Sequence, residues 1–157
     1  MLASVRGDAD LVVAFLNTLD LEGGTDELAT ASGWRAWAAA RGLPAPGPLD
    51  AARAARDALR AAAGDGSAAP DVRVPVNVGI VDGRPRAMAS DALGAVLLAA
   101  ARVADAGAWA RIKLCAAPGC RWAFVDESRN RSRAWCSMQV CGNRAKARAF
   151  RARAKSD

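Results

Sequence analysis

The sequence predicts an α+β protein in two parts, a mostly helical N-terminal domain with one β-hairpin (residues 1–110) and a small cysteine-containing module (residues 111–157). Three observations indicate this division. Apolar residues recur at helical spacing through much of the first part, and all four cysteines lie in the second. The charge also changes sign, because the first part has 10 basic and 13 acidic side chains and the second has 12 basic and 3 acidic ones.

Three helices are predicted in the first half of the N-terminal domain. The apolar residues from Asp10 to Asp20 share one helical face, and good helix formers run from Leu49 to Ala63. Between these segments, Thr25 is a candidate N-cap for a helix that ends at Gly42. We interpret the two tryptophans of this middle helix as core residues rather than a ligand cage.

A hairpin and a long helix complete the N-terminal prediction. Apolar residues alternate from Val72 to Ile80 as in a half-buried strand, although Pro75 limits that strand to an edge or a bulge. Asp82–Gly83 is a favourable hairpin turn, so Arg84 to Met88 is predicted to return as a partner strand. Asp91 to Ala106 is predicted to form an apolar helix that covers this sheet.

The cysteines form two matched pairs. Four residues separate Cys115 from Cys120, four separate Cys136 from Cys141, and fifteen lie between the pairs. This spacing predicts a tetrahedral metal site, and one structural zinc would be held by four thiolates because the chain has no histidine. An iron–sulfur cluster also uses four thiolates and stays open, as does a redox-responsive zinc site.

The sequence disfavours a secreted protein with disulfides and a protein that spans a membrane. A disulfide framework suits small secreted chains, but Asp8 and Asp10 interrupt the segment where a signal peptide needs an apolar run. The sequence also lacks the roughly 18 uncharged apolar residues of a membrane span. We therefore expect a cytoplasmic protein without a membrane partner.

The predicted module resembles a treble clef. Arg111 to Leu114 and Trp122 to Val125 are expected to be short strands on either side of a turn at Pro118–Gly119. A polar, basic loop follows from Asp126 to Arg133. Ser137 is a candidate N-cap for a final helix that contributes the last cysteine and then becomes strongly basic.

The basic residues predict contact with nucleic acid. Four of them follow helical i, i+4, i+7, i+11 spacing and would make a stripe about 16 Å long. The candidate contact residues in the loop and helix are Arg129, Arg131, Arg133, Arg144, Lys146, Arg148, Arg151 and Lys155. Two alternatives stay open, a solvated face that also compensates the thiolates, and a surface for an acidic protein or a membrane.

No catalytic residue is predicted. The chain has no histidine and no tyrosine for acid–base chemistry, and it has neither a glycine-rich phosphate loop nor a nucleophile elbow. A zinc ion with four thiolate ligands has no open position for water. We therefore expect a protein that is not an enzyme and that has no cofactor besides the metal.

The segment from Leu114 to Arg153, LCAAPGCRWAFVDESRNRSRAWCSMQVCGNRAKARAFRAR, resembles the CGNR zinc finger. That family is named for the tetrapeptide that here is Cys141–Gly142–Asn143–Arg144. In that family the finger usually follows an ABATE domain, which is described as a proposed regulator of stress-induced transcription. Leu16–Asn17–Thr18 and Trp34 to Leu43 are similar to the early Asn-Thr signature and the tryptophan segment of that domain.

The resemblance implies a bacterial, cytoplasmic DNA-binding transcription regulator with one zinc held by the four cysteines. It also implies a structural role for Asn143 and a role for Arg144 shared between structure and phosphate contact. Duplex DNA would be the partner, and a homodimer and a small-molecule effector of the N-terminal domain are compatible with it. The alternative function is an RNA- or protein-binding adaptor, in which the finger is only a scaffold.

Overall fold

The computed structural model describes residues 3–66 and 71–154, and within these ranges it contains five α-helices and three two-stranded antiparallel sheets. The helices are α1 (Ala3–Leu16), α2 (Ala31–Ala39), α3 (Leu49–Arg60), α4 (Ala92–Asp105) and α5 (Asn143–Arg153). The strands, which pair in chain order, are β1 (Leu19–Asp20), β2 (Thr25–Asp26), β3 (Val76–Val81), β4 (Arg84–Ala89), β5 (Ile112–Leu114) and β6 (Ala123–Val125). The predicted α+β class is confirmed. Among the described residues, no helix has both the length and the apolar character that crossing a bilayer requires.

Helix α1 separates two parts of the hydrophobic core. On one side, Phe15 packs with Trp34 and Trp37, whose rings are stacked with centroids 5.3 Å apart. Both tryptophans are 1% exposed, so their predicted place in the core is confirmed. On the other side, α1 and α4 bury Val12 and Val103 against residues of β5 and β6. Burial of these apolar side chains is the main source of stability in the fold.

The start of the second helix was wrongly predicted. Thr30, not Thr25, is the N-cap of α2, and its side-chain oxygen accepts a hydrogen bond from the amide of Gly33 at 3.1 Å. Thr25 instead lies in β2, opposite Asp20. The next residue, Asp26, accepts from the amide of Leu28 at 2.8 Å, and this local bond holds the segment in a turn where a helix was expected.

The first and third helices also end elsewhere than predicted. Helix α1 begins before Asp10 and ends at Leu16, because the Thr18 hydroxyl donates to the carbonyl of Phe15 at 2.8 Å in a local turn. Helix α3 ends at Arg60, and a π-helical turn continues the chain from Ala61 to Asp65.

The predicted hairpin is present but its first strand is shorter. Strand β3 begins only after Pro75, and the turn at Asp82–Gly83 has positive φ at both residues, as a type I′ turn requires. Val78 and Ile80 are 78% and 76% exposed, so the expectation of a half-buried strand is wrong for these two residues. Helix α4 lies against β4, as expected, and its N-cap Asp91 accepts from the amide of Gly94 at 2.7 Å.

The hairpin of β5 and β6 is joined to the helical core. The side-chain amide of Asn17 donates to the carbonyl of Ala123 at 3.0 Å, and its oxygen accepts from the amide of Ala123 at 2.7 Å. Nearby, the buried Arg60 donates to the carbonyls of Leu16 and Arg121, both at 3.1 Å. The first strands of the cysteine module therefore pack on the N-terminal helices. The division between residues 110 and 111 stays a prediction.

Asn17→Ala should destabilise the protein by about 1–3 kcal/mol, because it leaves the buried backbone of Ala123 without either hydrogen bond. The measurement is urea unfolding of the zinc-loaded protein followed by tryptophan fluorescence. Asn77→Ala is the control, since its exposed amide bonds only the Ser90 hydroxyl and should cost less than about 0.5 kcal/mol. Equal losses in the two variants would contradict a joining role for Asn17.

Candidate metal centre and basic helix

The four cysteine sulfurs meet at one point beside the β5–β6 hairpin. All four Sγ atoms lie within 4.8 Å of one another. The Sγ atom of Cys136 lies 3.7 Å from that of Cys120 and 3.8 Å from that of Cys141. A tetrahedron with zinc–sulfur bonds of about 2.3 Å has sulfur–sulfur edges of about 3.8 Å, so these distances fit one zinc ion.

The first pair of cysteines is held by a tight turn. Cys115 follows β5, and its amide donates to the carbonyl of Trp122 at 2.8 Å. The amides of Cys120 and Arg121 both donate to the carbonyl of Ala117, at 2.9 and 3.1 Å. Arg121 has φ +50°, and this left-handed residue turns the chain back towards β6. The turn thus brings both sulfurs to the same side of the backbone.

The second pair is positioned by the start of the last helix. The Ser137 hydroxyl accepts from the amide of Val140 at 3.3 Å, which confirms the predicted N-cap. A π-helical turn from Met138 to Gly142 then places Cys141 against the other sulfurs. A Cβ atom at Gly142 would lie 2.7 Å from the Met138 sulfur and 3.3 Å from the Trp135 ring, so glycine is the residue that fits there without displacing a neighbour.

The thiols of the cluster influence one another's ionisation. Burial raises the pKa of Cys136 and of Cys141, the latter to about 11, and the neighbouring Cys115 and Cys120 add to the effect. Burial acts in the same direction on Cys115, but hydrogen bonds from the backbone amides of Cys136 and Ala117 outweigh it and lower the pKa of this thiol. Zinc binds thiolates, so a cation that replaces the protons of Cys115, Cys136 and Cys141 offsets the cost of ionising these neighbouring groups.

Arg133 supports the second pair from behind. Its guanidinium donates to the carbonyl of Trp135 at 2.8 Å and also to the carbonyl of Cys136. The same group lies 4.8 Å from the centroid of the Phe124 ring, in a cation–π contact with β6. The guanidinium of Arg133 is therefore bound within the finger and has a structural role. The sequence did not indicate this role, because Arg133 is one of several basic residues in the loop.

A buried ion pair fixes the basic loop after β6. Asp126 is fully buried, and its carboxylate accepts from the ammonium of Lys113 at 2.7 Å and from the amides of Ser128 and Arg133 at 2.9 and 3.0 Å. Burial alone would raise the pKa of Asp126, but the hydrogen bonds from Lys113 and Ser128 hold it well below its usual range. Lys113 also donates to the carbonyl of Arg131 at 2.5 Å, so the loop is fixed at both ends.

The predicted nucleic-acid residues fall into different environments. Five of them are exposed, namely Arg129 and Arg131 in the loop and Lys146, Arg148 and Arg151 on α5. Arg144 is exposed too, but its guanidinium pairs with the carboxylate of Glu22, in the loop between β1 and β2. Lys155 lies outside the described residues.

Several residues around the site could not be recognised as part of it from the sequence. Nothing local marks Glu22 as a partner of Arg144, because 122 positions separate them. Asp126 lay inside the segment that resembles the CGNR finger, and its charge beside an apolar strand was the available signal of a buried pair. The side chain of Asn143 donates to the carbonyl of Gln139 at 3.0 Å, and its expected structural role stays a prediction.

Two family models match the chain. Residues 111–154 match the CGNR zinc finger, and residues 9–123 match ABATE, whose description is Putative stress-induced transcription regulator. These are a zinc-finger family and a regulator family, not families of enzymes. No curated protein matches. The predicted cofactor is thereby confirmed, since four cysteines lie within metal-binding distance in a CGNR finger that binds one zinc.

Cys141→Ser should weaken zinc binding by more than about 100-fold, because it removes a ligand. Loss of a residue that only hydrogen-bonds to a ligand usually has a smaller effect. Zinc affinity is measured by competition with a chromogenic chelator, and stoichiometry by elemental analysis. Ser132→Ala is the control, because that exposed side chain lies in the neighbouring loop and should leave one zinc per chain. Wild-type affinity in Cys141→Ser would exclude this sulfur as a ligand.

Proposed function

Because the chain belongs to the ABATE family and carries a CGNR zinc finger, we propose that it is a transcription regulator that binds duplex DNA through the basic helix α5. In this proposal Cys115, Cys120, Cys136 and Cys141 are the zinc ligands. The ion is structural, since four thiolates leave no position for water or substrate. A regulator of this kind acts in the cytoplasm of a bacterial cell, and that localisation is part of the proposal.

The observation that carries the proposal is the charge of α5. The helix has the sequence NRAKARAFRAR, with five basic residues and no acidic one. Arg148 and Arg151 lie one turn apart on an exposed face, and among the described residues neither has an acidic partner. Like charges at this spacing repel one another and destabilise the helix. An anion that binds along this face would relieve the repulsion and also form new contacts. The phosphate backbone of DNA supplies such a row of anions.

Zinc gives this helix a fixed direction. Cys141 lies in the turn that leads directly into α5, so the ion would fasten the first residues of the helix to the β5–β6 hairpin. That hairpin is itself packed on α1. A phosphate-binding helix gains from such preorganisation, because its orientation is established before DNA arrives.

Other basic residues would extend the contact beyond Arg148 and Arg151. Arg129 and Arg131 are exposed in the loop that the buried Asp126 fixes, and Lys146 is exposed on α5. Lys155 would continue the stripe by one further turn. Such contacts set affinity and orientation, whereas reading of the base sequence needs side chains in a groove.

Arg144 occupies a special position, because its present partner is a carboxylate of the N-terminal region. A phosphate would have to replace Glu22 to bind this guanidinium. The N-terminal region could thereby influence the affinity of the finger for DNA. We propose that this region has the regulatory part of the function, through a small-molecule effector or through association with a second copy.

Arg148→Ala, Arg151→Ala should weaken binding to mixed-sequence duplex DNA and reduce the log–log salt slope by about 0.9 for each phosphate that the variant no longer neutralises. Binding of the zinc-loaded protein is measured by fluorescence anisotropy over a salt series. Single-stranded RNA and heparin are measured in parallel. Arg35→Ala, Arg84→Ala is the control, because it removes the same charge from two exposed sites of the N-terminal region.

Preference for duplex DNA together with a reduced slope only in the α5 variant would support the proposal. Equal affinity for the three polyanions, or a slope that the α5 variant does not change, would overturn it. Preference for RNA would favour the adaptor function in its place.

Glu22→Gln should increase the affinity for duplex DNA by about 2–10-fold, since it frees Arg144 and removes a carboxylate that repels phosphate. Anisotropy at low salt gives the comparison with wild type. Glu27→Gln is the matched control, because Glu27 is exposed in the same region and forms no ion pair with a described residue. Equal effects of the two variants would mean that only net charge matters.

A further inference from the structure

One edge of the β3–β4 hairpin is open. Val81 faces Arg84 across the two-residue turn, so these two residues exchange hydrogen bonds, and the pattern repeats at every second residue. The intervening residues of β3, Val76, Val78 and Ile80, therefore direct their backbone amides and carbonyls away from β4. Within the described part of the chain, none of these groups has a backbone partner.

The opposite edge is protected. Pro85 has no amide to offer on the outer side of β4, and the guanidinium of Arg102 donates to the carbonyl of Ala87 at 3.3 Å. Helix α4 also lies against β4. Strand β3 contains neither a charged residue nor a proline, which are the usual means of protecting an edge from other chains. This contrast indicates that the edge of β3 has a partner.

The side chains of the same three residues lack a cover. Val78 and Ile80 are more than three-quarters exposed at the tip of the hairpin. At its base, Val76 borders an apolar groove of about 720 Å³ between α3, α4 and the segment before β3. The groove is lined mainly by Leu59, Val72, Val74, Leu97, Leu98 and Trp109. An uncovered apolar tip and an unfilled apolar groove thus lie on the same face of one hairpin.

We propose that two copies of this chain associate through β3, in antiparallel order about a two-fold axis at Val78. A strand paired with its own copy is self-complementary, so one patch serves both subunits. Val78 would face Val78 of the second copy, and Val76 would face Ile80 of the second copy. Each of the three residues then exchanges both free hydrogen bonds, and the two hairpins become one four-stranded sheet.

This register also covers the apolar groups. Each Ile80 comes to lie beside Val76 of the second copy, at the edge of that copy's groove. Burial of the tip and occupation of the groove are therefore one event. The register places the exposed Arg73, which lies 3.5 Å from Asp71 of its own chain, opposite the Asp82–Gly83 turn of the second copy, while β3 adds no like charges to the contact. A second copy therefore satisfies the hydrogen bonds and covers the apolar area together.

This dimer would be the association with a second copy that the proposed function includes. Its role in regulation rests on that proposed function, whereas its formation does not. A two-fold dimer would present two basic helices to one duplex, as dimeric regulators do. Its physical test contains no DNA. Failure of the dimer and failure of DNA binding are therefore separate results.

The test is sedimentation velocity of the zinc-loaded full chain over a wide concentration range. Wild type should show a monomer–dimer equilibrium, and Val78→Lys should raise its dissociation constant by at least about tenfold, because it places two like charges opposite each other at the axis. Met88→Lys is the control, since Met88 lies on the opposite face of the hairpin and should leave the equilibrium unchanged. Circular dichroism establishes that each variant is folded.

Hydrogen exchange supplies a second readout. On dilution of wild type, the amides of Val76, Val78 and Ile80 should lose protection, while those of Asn77, Gly79 and Val81 keep it through β4. A chain that stays monomeric at every concentration would overturn the proposal. So would a dimer that Val78→Lys does not weaken, because another surface would then form it.

Discussion

The contact between α1 and the β5–β6 hairpin is the interaction on which the other parts depend. Asn17 pairs with both backbone groups of Ala123, and the apolar side chains of the hairpin complete the core between α1 and α4. The hairpin in turn carries Cys115 and the turn to Cys120. Half of the metal centre is consequently attached to the helical core. The cysteine module is thus a continuation of that core, and the metal adds to an existing support.

Ion pairs also connect the cysteine module to the N-terminal region. Arginines of the strongly basic C-terminal segment form ion pairs with carboxylates of the acidic N-terminal one, Arg121 with Asp65 and Arg144 with Glu22. Some of the charge asymmetry is therefore internal to the molecule. The charge that is available to a polyanion lies mainly on Lys146, Arg148 and Arg151 of α5 and on the exposed loop arginines. The net charge of the C-terminal segment therefore overstates the charge that a polyanion can contact, because it counts the arginines in internal ion pairs together with the exposed ones.

The parts of the structure that could be predicted depend on local chemistry. The spacing of the cysteines, the Ser137 cap and the Asp82–Gly83 turn are each determined within a few residues, and each is present as expected. The misplaced helix start at Thr25 shows the limit of this approach, since the hydrogen bond that Asp26 accepts from the amide of Leu28 competes with a helix that begins there, and Thr30 caps the helix instead. The capping preference of each residue type does not describe that competition.

Features that depend on distant contacts could not be predicted. The alternation in β3 has the pattern of a half-buried strand, yet its tip extends beyond the core that would bury it. Arg133 and Arg148 are both basic residues in the same segment, but only Arg133 has carbonyls and an aromatic ring within reach. The partner of Asn17 lies 106 positions away. Such assignments need the packing of separate elements, which periodicity along the chain does not specify.

The anchoring of the first cysteine pair implies an order in which the cysteines bind the metal. Arg121, next to Cys120, is held by Asp65 at 2.6 Å and by the carbonyl of Gly64 at 3.0 Å, so this corner of the site is bound to the π-helical turn that follows α3. Cys136 is held as well, since the guanidinium of Arg133 donates to its carbonyl, whereas Cys141 leads into the exposed helix α5. An incoming ion would accordingly meet the three better-held sulfurs first, and closure of Cys141 would complete its coordination. Release would begin with the reverse step, so opening at the base of α5 would set the lifetime of the bound metal.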